Sequence, residues 1–132
     1  ASGGGLCYHV AALCDWIAVP FYVHRGFASA ALLPESMYAD HWARRMRRYA
    51  EKVSGTRLLP VLCPWIDCKA GTPGFRQREA VPESYLKAQA KTAKVATALA
   101  CSASAVIVWD DCKNAAELDL TVKALGVWRS AG

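Results

Sequence analysis

Three uncharged runs constrain this chain more than anything else in it. They are Trp16-Ile17-Ala18-Val19-Pro20-Phe21-Tyr22-Val23, Leu58-Leu59-Pro60-Val61-Leu62-Cys63 and Ala105-Val106-Ile107-Val108-Trp109. A strand with one wet face alternates polar and apolar side chains. A run that is apolar at every position is buried on both faces, as strands of a parallel sheet are. Between and after the runs the periodicity turns helical. Tyr38, Trp42, Met46, Tyr49 and Val53 form one stripe, predicting a helix from Pro34-Glu35 to Val53 that Ser54-Gly55 closes. A second helix is predicted from Pro82-Glu83 to about Ala100, with proline in the first turn, where its missing N–H costs nothing. A third, from about Asn114 to Leu125, carries Ala115, Leu118, Val122 and Leu125 on one stripe with Gly126 after it. Asp111 or Asn114 would cap its start.

Three successive strand–helix units define an α/β protein with a parallel sheet. The strands start roughly forty to fifty residues apart, a rhythm compatible with a (β/α) barrel whose loops are decorated. Three units do not close a barrel of eight, which leaves a small open three-layer sheet or the end of a barrel. Leu6 to Leu13 reads as the end of a preceding helix and favours the second. The expectation is a partial TIM-type barrel, with residues 1–132 as a single α/β domain forming its C-terminal part. The start at Ala1-Ser2-Gly3-Gly4-Gly5, without Met or the regions of a signal peptide, suggests either processing or a piece of a longer protein.

In parallel α/β folds ligands bind at the C-terminal ends of the strands. Those ends carry Tyr22, His24 and Arg25, then Trp65 and Asp67, then Trp109, Asp110 and Asp111. Aromatic rings beside carboxylates on one rim suit a carbohydrate, which offers flat C–H faces to rings and hydroxyls to acceptors. Glycoside hydrolysis also needs two carboxyl groups at a set separation, and Asp67 and Asp110, at neighbouring strand ends about 5 Å apart, are the candidate pair. The loop from Pro64 to Val81 is long enough to be functional.

Six cysteines (Cys7, Cys14, Cys63, Cys68, Cys101 and Cys112) predict disulfides and an oxidising compartment, although six thiols allow fifteen pairings. Their spacings match no zinc pattern, and His9, His24 and His41 are scattered, so no metal is expected. No glycine-rich phosphate cradle or nucleophile elbow is present, and no cofactor is implied. The net charge is +5, from 16 Lys and Arg against 11 Asp and Glu. The Arg44-Arg45, Arg47-Arg48 cluster sits on an outer helix without interleaved stacking aromatics, which reads as a solvated face and not a nucleic-acid interface. Arg25, Lys69 and Arg76 would instead suit an anionic polysaccharide. The longest uncharged run, Val95 to Trp109, is too short and too polar to span a bilayer, so no membrane partner is expected.

The order of motifs resembles the C-terminal half of animal hyaluronidases. The matching residues are Pro20-Phe21-Tyr22, the basic helix Ser36-Met37-Tyr38-Ala39-Asp40-His41-Trp42-Ala43-Arg44-Arg45, Leu59-Pro60-Val61-Leu62, Phe75, the Ala-rich segment 88–100 and Ala105-Val106-Ile107-Val108-Trp109. The resemblance covers about residues 15 to 126 and implies a secreted glycoside hydrolase built on a modified TIM barrel and acting on glycosaminoglycan-type polysaccharide. It implies that Tyr22 lines the substrate cleft and that Trp109 packs against the sugar. Trp65 stands close to where the family has a tyrosine, and Asp110 stands where the family has a small residue. The family's acid motif, D-x-E at an earlier strand end, has no counterpart here, because Glu35, Glu79 and Glu83 lie at helix starts or in the long loop. This chain alone would therefore supply the aromatic substrate-binding wall and be inactive by itself, its partner being the N-terminal part of the same barrel. The alternative is a non-catalytic glycan-binding or structural α/β protein stapled by disulfides.

Overall fold

The computed structural model describes residues 4–25, 31–53, 55–68, 79–97, 105–109 and 113–131. For 4–7, 24–25, 67–68 and 96–97 it describes the backbone only. The elements run α1 (Gly4–Ala11), β1 (Trp16–Arg25), α2 (Glu35–Lys52), β2 (Arg57–Cys68), α3 (Glu83–Thr97), β3 (Ile107–Val108) and α4 (Ala115–Ser130). The strands form one parallel sheet in the order β1-β2-β3. This is the α/β architecture with consecutive strand–helix units that the three apolar runs dictate.

The helices cover one face of that sheet. Val19, Phe21 and Val23 of β1 and Leu58, Leu62 and Ile66 of β2 share a buried cluster with Tyr38, Trp42 and Met46 of α2, Leu86 and Ala93 of α3, and Ala124 of α4. Its centre is a stack of rings. Trp42 lies over Phe21 at 5.2 Å and 19°, Tyr38 follows Trp42 at 5.8 Å and 25°, and Tyr85 meets Tyr38 edge-on at 5.9 Å. Such pairs each contribute about 0.5–1.5 kcal/mol beyond the area they bury. The α2 stripe is thus the expected one, and Gly55, at φ 84°, follows the helix in the left-handed turn that glycine adopts without strain.

Several bounds differ from expectation: β1 runs on to Arg25, and β3 is confined to Ile107–Val108. The larger differences are in β2 and α4. The second strand does not end at Cys63 but continues to Cys68, so Asp67 belongs to a strand and not to a loop. The last helix, α4, runs through Gly126 to Ser130, and its buried residues are Glu117 and Ala124, with Val127 and Trp128 packed on the core. The expected stripe faces outward instead: Leu118 is 51% exposed, Val122 60% and Leu125 37%. Core contact by Val127 and Trp128 offsets the cost of a mid-helix glycine, about 1 kcal/mol relative to alanine. Asn114 is the cap, its side chain accepting from the Glu117 N–H at 3.0 Å, while the Glu117 carboxylate reaches back to the Lys113 N–H at 2.7 Å. Asp111 lies outside the described residues.

The disulfide expectation fails at the two described thiols. Cys14 and Cys63 are not bridged, and they donate to the carbonyls of Val10 and Val61. The other four cysteines lie outside the described side chains. No helix among the described residues is long and apolar enough to cross a membrane.

Candidate functional site

The second face of the sheet carries no helix among the described residues. Along β1 it takes Trp16, Ala18, Pro20 and Tyr22; along β2, Arg57, Leu59, Val61, Cys63 and Trp65; along the third run, Ala105, Ile107 and Trp109, alternating with the buried face. Nearly all are apolar. Val61 and Cys63, on the middle strand, are buried, whereas Tyr22 and Ile107 are 39% exposed, Trp16 48% and Trp109 60%. At the N-terminal end of this face Arg57 lies over the Trp16 ring, 5.2 Å from its centroid.

The C-terminal end of this face is where three of the sequence-derived candidates meet. The register runs Phe21↔Leu62 and then Val23↔Ile66, so three residues of β2, Cys63 to Trp65, stand against Tyr22 alone. A bulge of this kind bends its strand and re-aims side chains. Beyond it, Trp65 forms an antiparallel bridge with Ala80: Ile66 N–H donates to Glu79 C=O at 2.7 Å and Val81 N–H to Pro64 C=O at 2.9 Å. On the other edge of β2, β3 pairs only with Val61 and Leu62, and the Trp109 N–H adds one more bond, to Leu62 C=O at 2.9 Å. The prolines at 60 and 64 bracket that short ladder, since proline donates no hydrogen bond to it. Tyr22, Trp65 and Trp109 therefore lie across three neighbouring strands on one face and at one end, with strand axes about 5 Å apart.

The charged candidates are less fully placed. Arg25 ends β1 opposite Cys68, and Asp67 stands opposite His24 near the end of β2. The side chains of both lie outside the described residues, as do Asp110, Lys69 and Arg76 altogether, so the Asp67–Asp110 pair has no described geometry. Among the described residues no cluster of His, Cys, Asp or Glu could hold a metal ion. Of the basic cluster on α2, Arg45 does not face solvent as a free charge: its Nη1 donates to Pro20 C=O at 3.2 Å, tying the helix to β1.

One residue near the site escaped sequence reading. Gln89 of α3 is fully buried, and its side-chain amide accepts from the Cys63 N–H and donates to the Cys63 C=O, both at 2.9 Å. The available signal was a long polar side chain set among Leu86, Ala90 and Ala93 on the buried face of the helix, which also carries Thr92. Two grooves of about 660 Å³ and 320 Å³ open elsewhere, between α3 and α4 and between α2 and α3. Both lie in the helical layer, and no aromatic ring is among their described lining residues. No family model, curated protein or solved structure matches the chain.

Proposed function

We propose that this chain is one sector of a TIM-type barrel of a hyaluronidase-like glycoside hydrolase, contributing the aromatic wall that binds a glycosaminoglycan-type chain. The observation that carries the proposal is the apolar sheet face that bears no helix among the described residues and ends in Tyr22, Trp65 and Trp109. In a closed barrel that face is the packed interior, and its C-terminal end is the mouth where substrate binds. Two further features support the barrel. β1 and β3 are the outer strands of the sheet, and α4 presents Leu118, Val122 and Leu125 outward, where the next helix of a ring would pack.

Three rings at one rim bind a sugar chain through its C–H faces and leave the hydroxyls for polar groups. They do not hydrolyse it. A glycosidic bond needs a protonated carboxyl beside the leaving oxygen, and the sequence holds no D-x-E strand end to supply one. On this reading the remaining strands of the barrel bring the acid, and the 132-residue chain binds without turnover.

The test is a titration of the full chain with a hyaluronan hexasaccharide, following tryptophan fluorescence and the release of reducing ends. Saturable quenching without new reducing ends is expected. A folded chain whose fluorescence does not respond would overturn the reading. Binding that survives removal of both exposed rings, Tyr22→Ala with Trp109→Ala, would overturn the assignment of the wall.

A further inference from the structure

We propose that Gln89 is a positioning residue for the aromatic wall, clamping the β2 bulge so that Trp65 is held against Tyr22. The inference rests on the carbohydrate reading above for its purpose, but on geometry for its substance. Where the register slips, Cys63 to Trp65 are the three residues set against Tyr22, and both peptide groups of Cys63 are met by one side chain from the helix behind. A primary amide is the one side-chain group that presents a donor and an acceptor side by side, as a neighbouring strand would. Gln89 thus stands in for a strand at the point where the bulge disturbs the ladder. Two residues on, the Glu79 and Val81 backbone holds the peptides either side of Trp65. Trp65 is consequently fixed from both directions, by Gln89 upstream and by the 79–81 segment around it. The burial of Gln89 is complete, and a buried amide is retained where both its groups are matched. Neither half of the clamp touches the sugar face, so Gln89 acts on a ligand only through Trp65.

The test uses the full chain labelled with 5-fluorotryptophan, whose five indoles are assigned by single Trp→Phe replacements. Gln89→Met keeps the length and volume of the side chain and removes both bonds. The Trp65 resonance is expected to move or broaden while those of Trp42 and Trp128 stay in place, and hexasaccharide affinity is expected to fall about tenfold. An unmoved Trp65 resonance in the folded variant would overturn the proposal. So would a displacement of all five resonances together, which is what a merely structural role produces. Should Gln89→Met fail to fold, hydrogen exchange in the unaltered chain decides. The Cys63 amide and the Gln89 side-chain protons are expected to exchange slowly, and exchange at the rate of an exposed amide would refute the clamp. If the unaltered chain binds no hexasaccharide, the functional reading fails while the fluorine and exchange results still decide whether Gln89 positions Trp65.

Discussion

The amide of Trp109 donates to the carbonyl of Leu62, one residue past the last paired position of β3, and the indole stands 60% exposed beyond it. The backbone of this residue is fixed while its ring faces solvent, the arrangement a binding platform needs. Trp109→Ala should leave unfolding by urea within about 0.5 kcal/mol of the parent, as exposed substitutions generally do. It should cost about 1–3 kcal/mol in hexasaccharide binding, by analogy with other stacked rings. Isothermal titration of the two proteins measures the difference.

Trp42 makes the opposite case. It is 1% exposed and stacked between Phe21 and Tyr38. Trp42→Ala should destabilise the chain by about 3–5 kcal/mol through lost contact and the cavity left behind, which denaturant unfolding followed by circular dichroism will read.

The cap of α4 is a smaller, local term. Asn114→Ala removes the bond to the Glu117 N–H and should cost about 1 kcal/mol. Asn114→Asp keeps the acceptor and should restore most of it. Comparing urea midpoints of the three proteins tests both statements.

Alkaline pH should act through Tyr85. Burial first, then the charges of Glu35 and Tyr38, raise its hydroxyl above the ordinary value of 10.0, and that hydroxyl donates to Leu33 C=O at 2.6 Å. The folded state therefore holds this proton more tightly than the unfolded one. The associated stability is fully present below the unfolded value and is lost as pH rises through the folded one. Tyr85→Phe should flatten the fall in urea midpoint above about pH 10, and an unchanged alkaline limb would remove Tyr85 as its source.

The exposed part of the apolar sheet face makes a prediction about aggregation. Ile107→Lys should weaken binding of an apolar dye such as ANS and reduce aggregation, with little change in melting temperature, because Ile107 already faces solvent. A large loss of stability would mean that the residue is packed.

The residues that announced the fold were those whose pattern has one physical meaning. Val19, Phe21 and Val23 alternate with Ala18, Pro20 and Tyr22, and only a strand lined with apolar side chains on both faces is written that way. The stripe from Tyr38 to Val53 has a polar opposite side, so its buried face was legible too. The helix α4 has two apolar stripes, and their periodicity is identical. Contact with β2, β3 and α3 decided in favour of Ala124 and Val127, information that no local window contains. At Pro64 a breaker coincides with a strand that continues, because its peptides find partners in Gln89 and in residues 79–81. Of the site, Tyr22, Trp65 and Trp109 could be read from the strand ends, since alternation places them. The clamp behind them could not, since it joins positions 26 residues apart.

The hydroxyl of Thr56 lies 2.9 Å from both the Ala11 and the Cys14 carbonyls, sharing one proton between them, 45 and 42 residues back along the chain. The opening helix, α1, is thus moored to the residue that leads into β2 and, by an edge-on Tyr8–Tyr49 ring contact at 5.3 Å, to α2. Both partners lie later in the chain than α1, which gains these contacts only once residues 49 and 56 have been made. Docking of α1 at both points therefore reports that α2 and the lead into β2 are already in place.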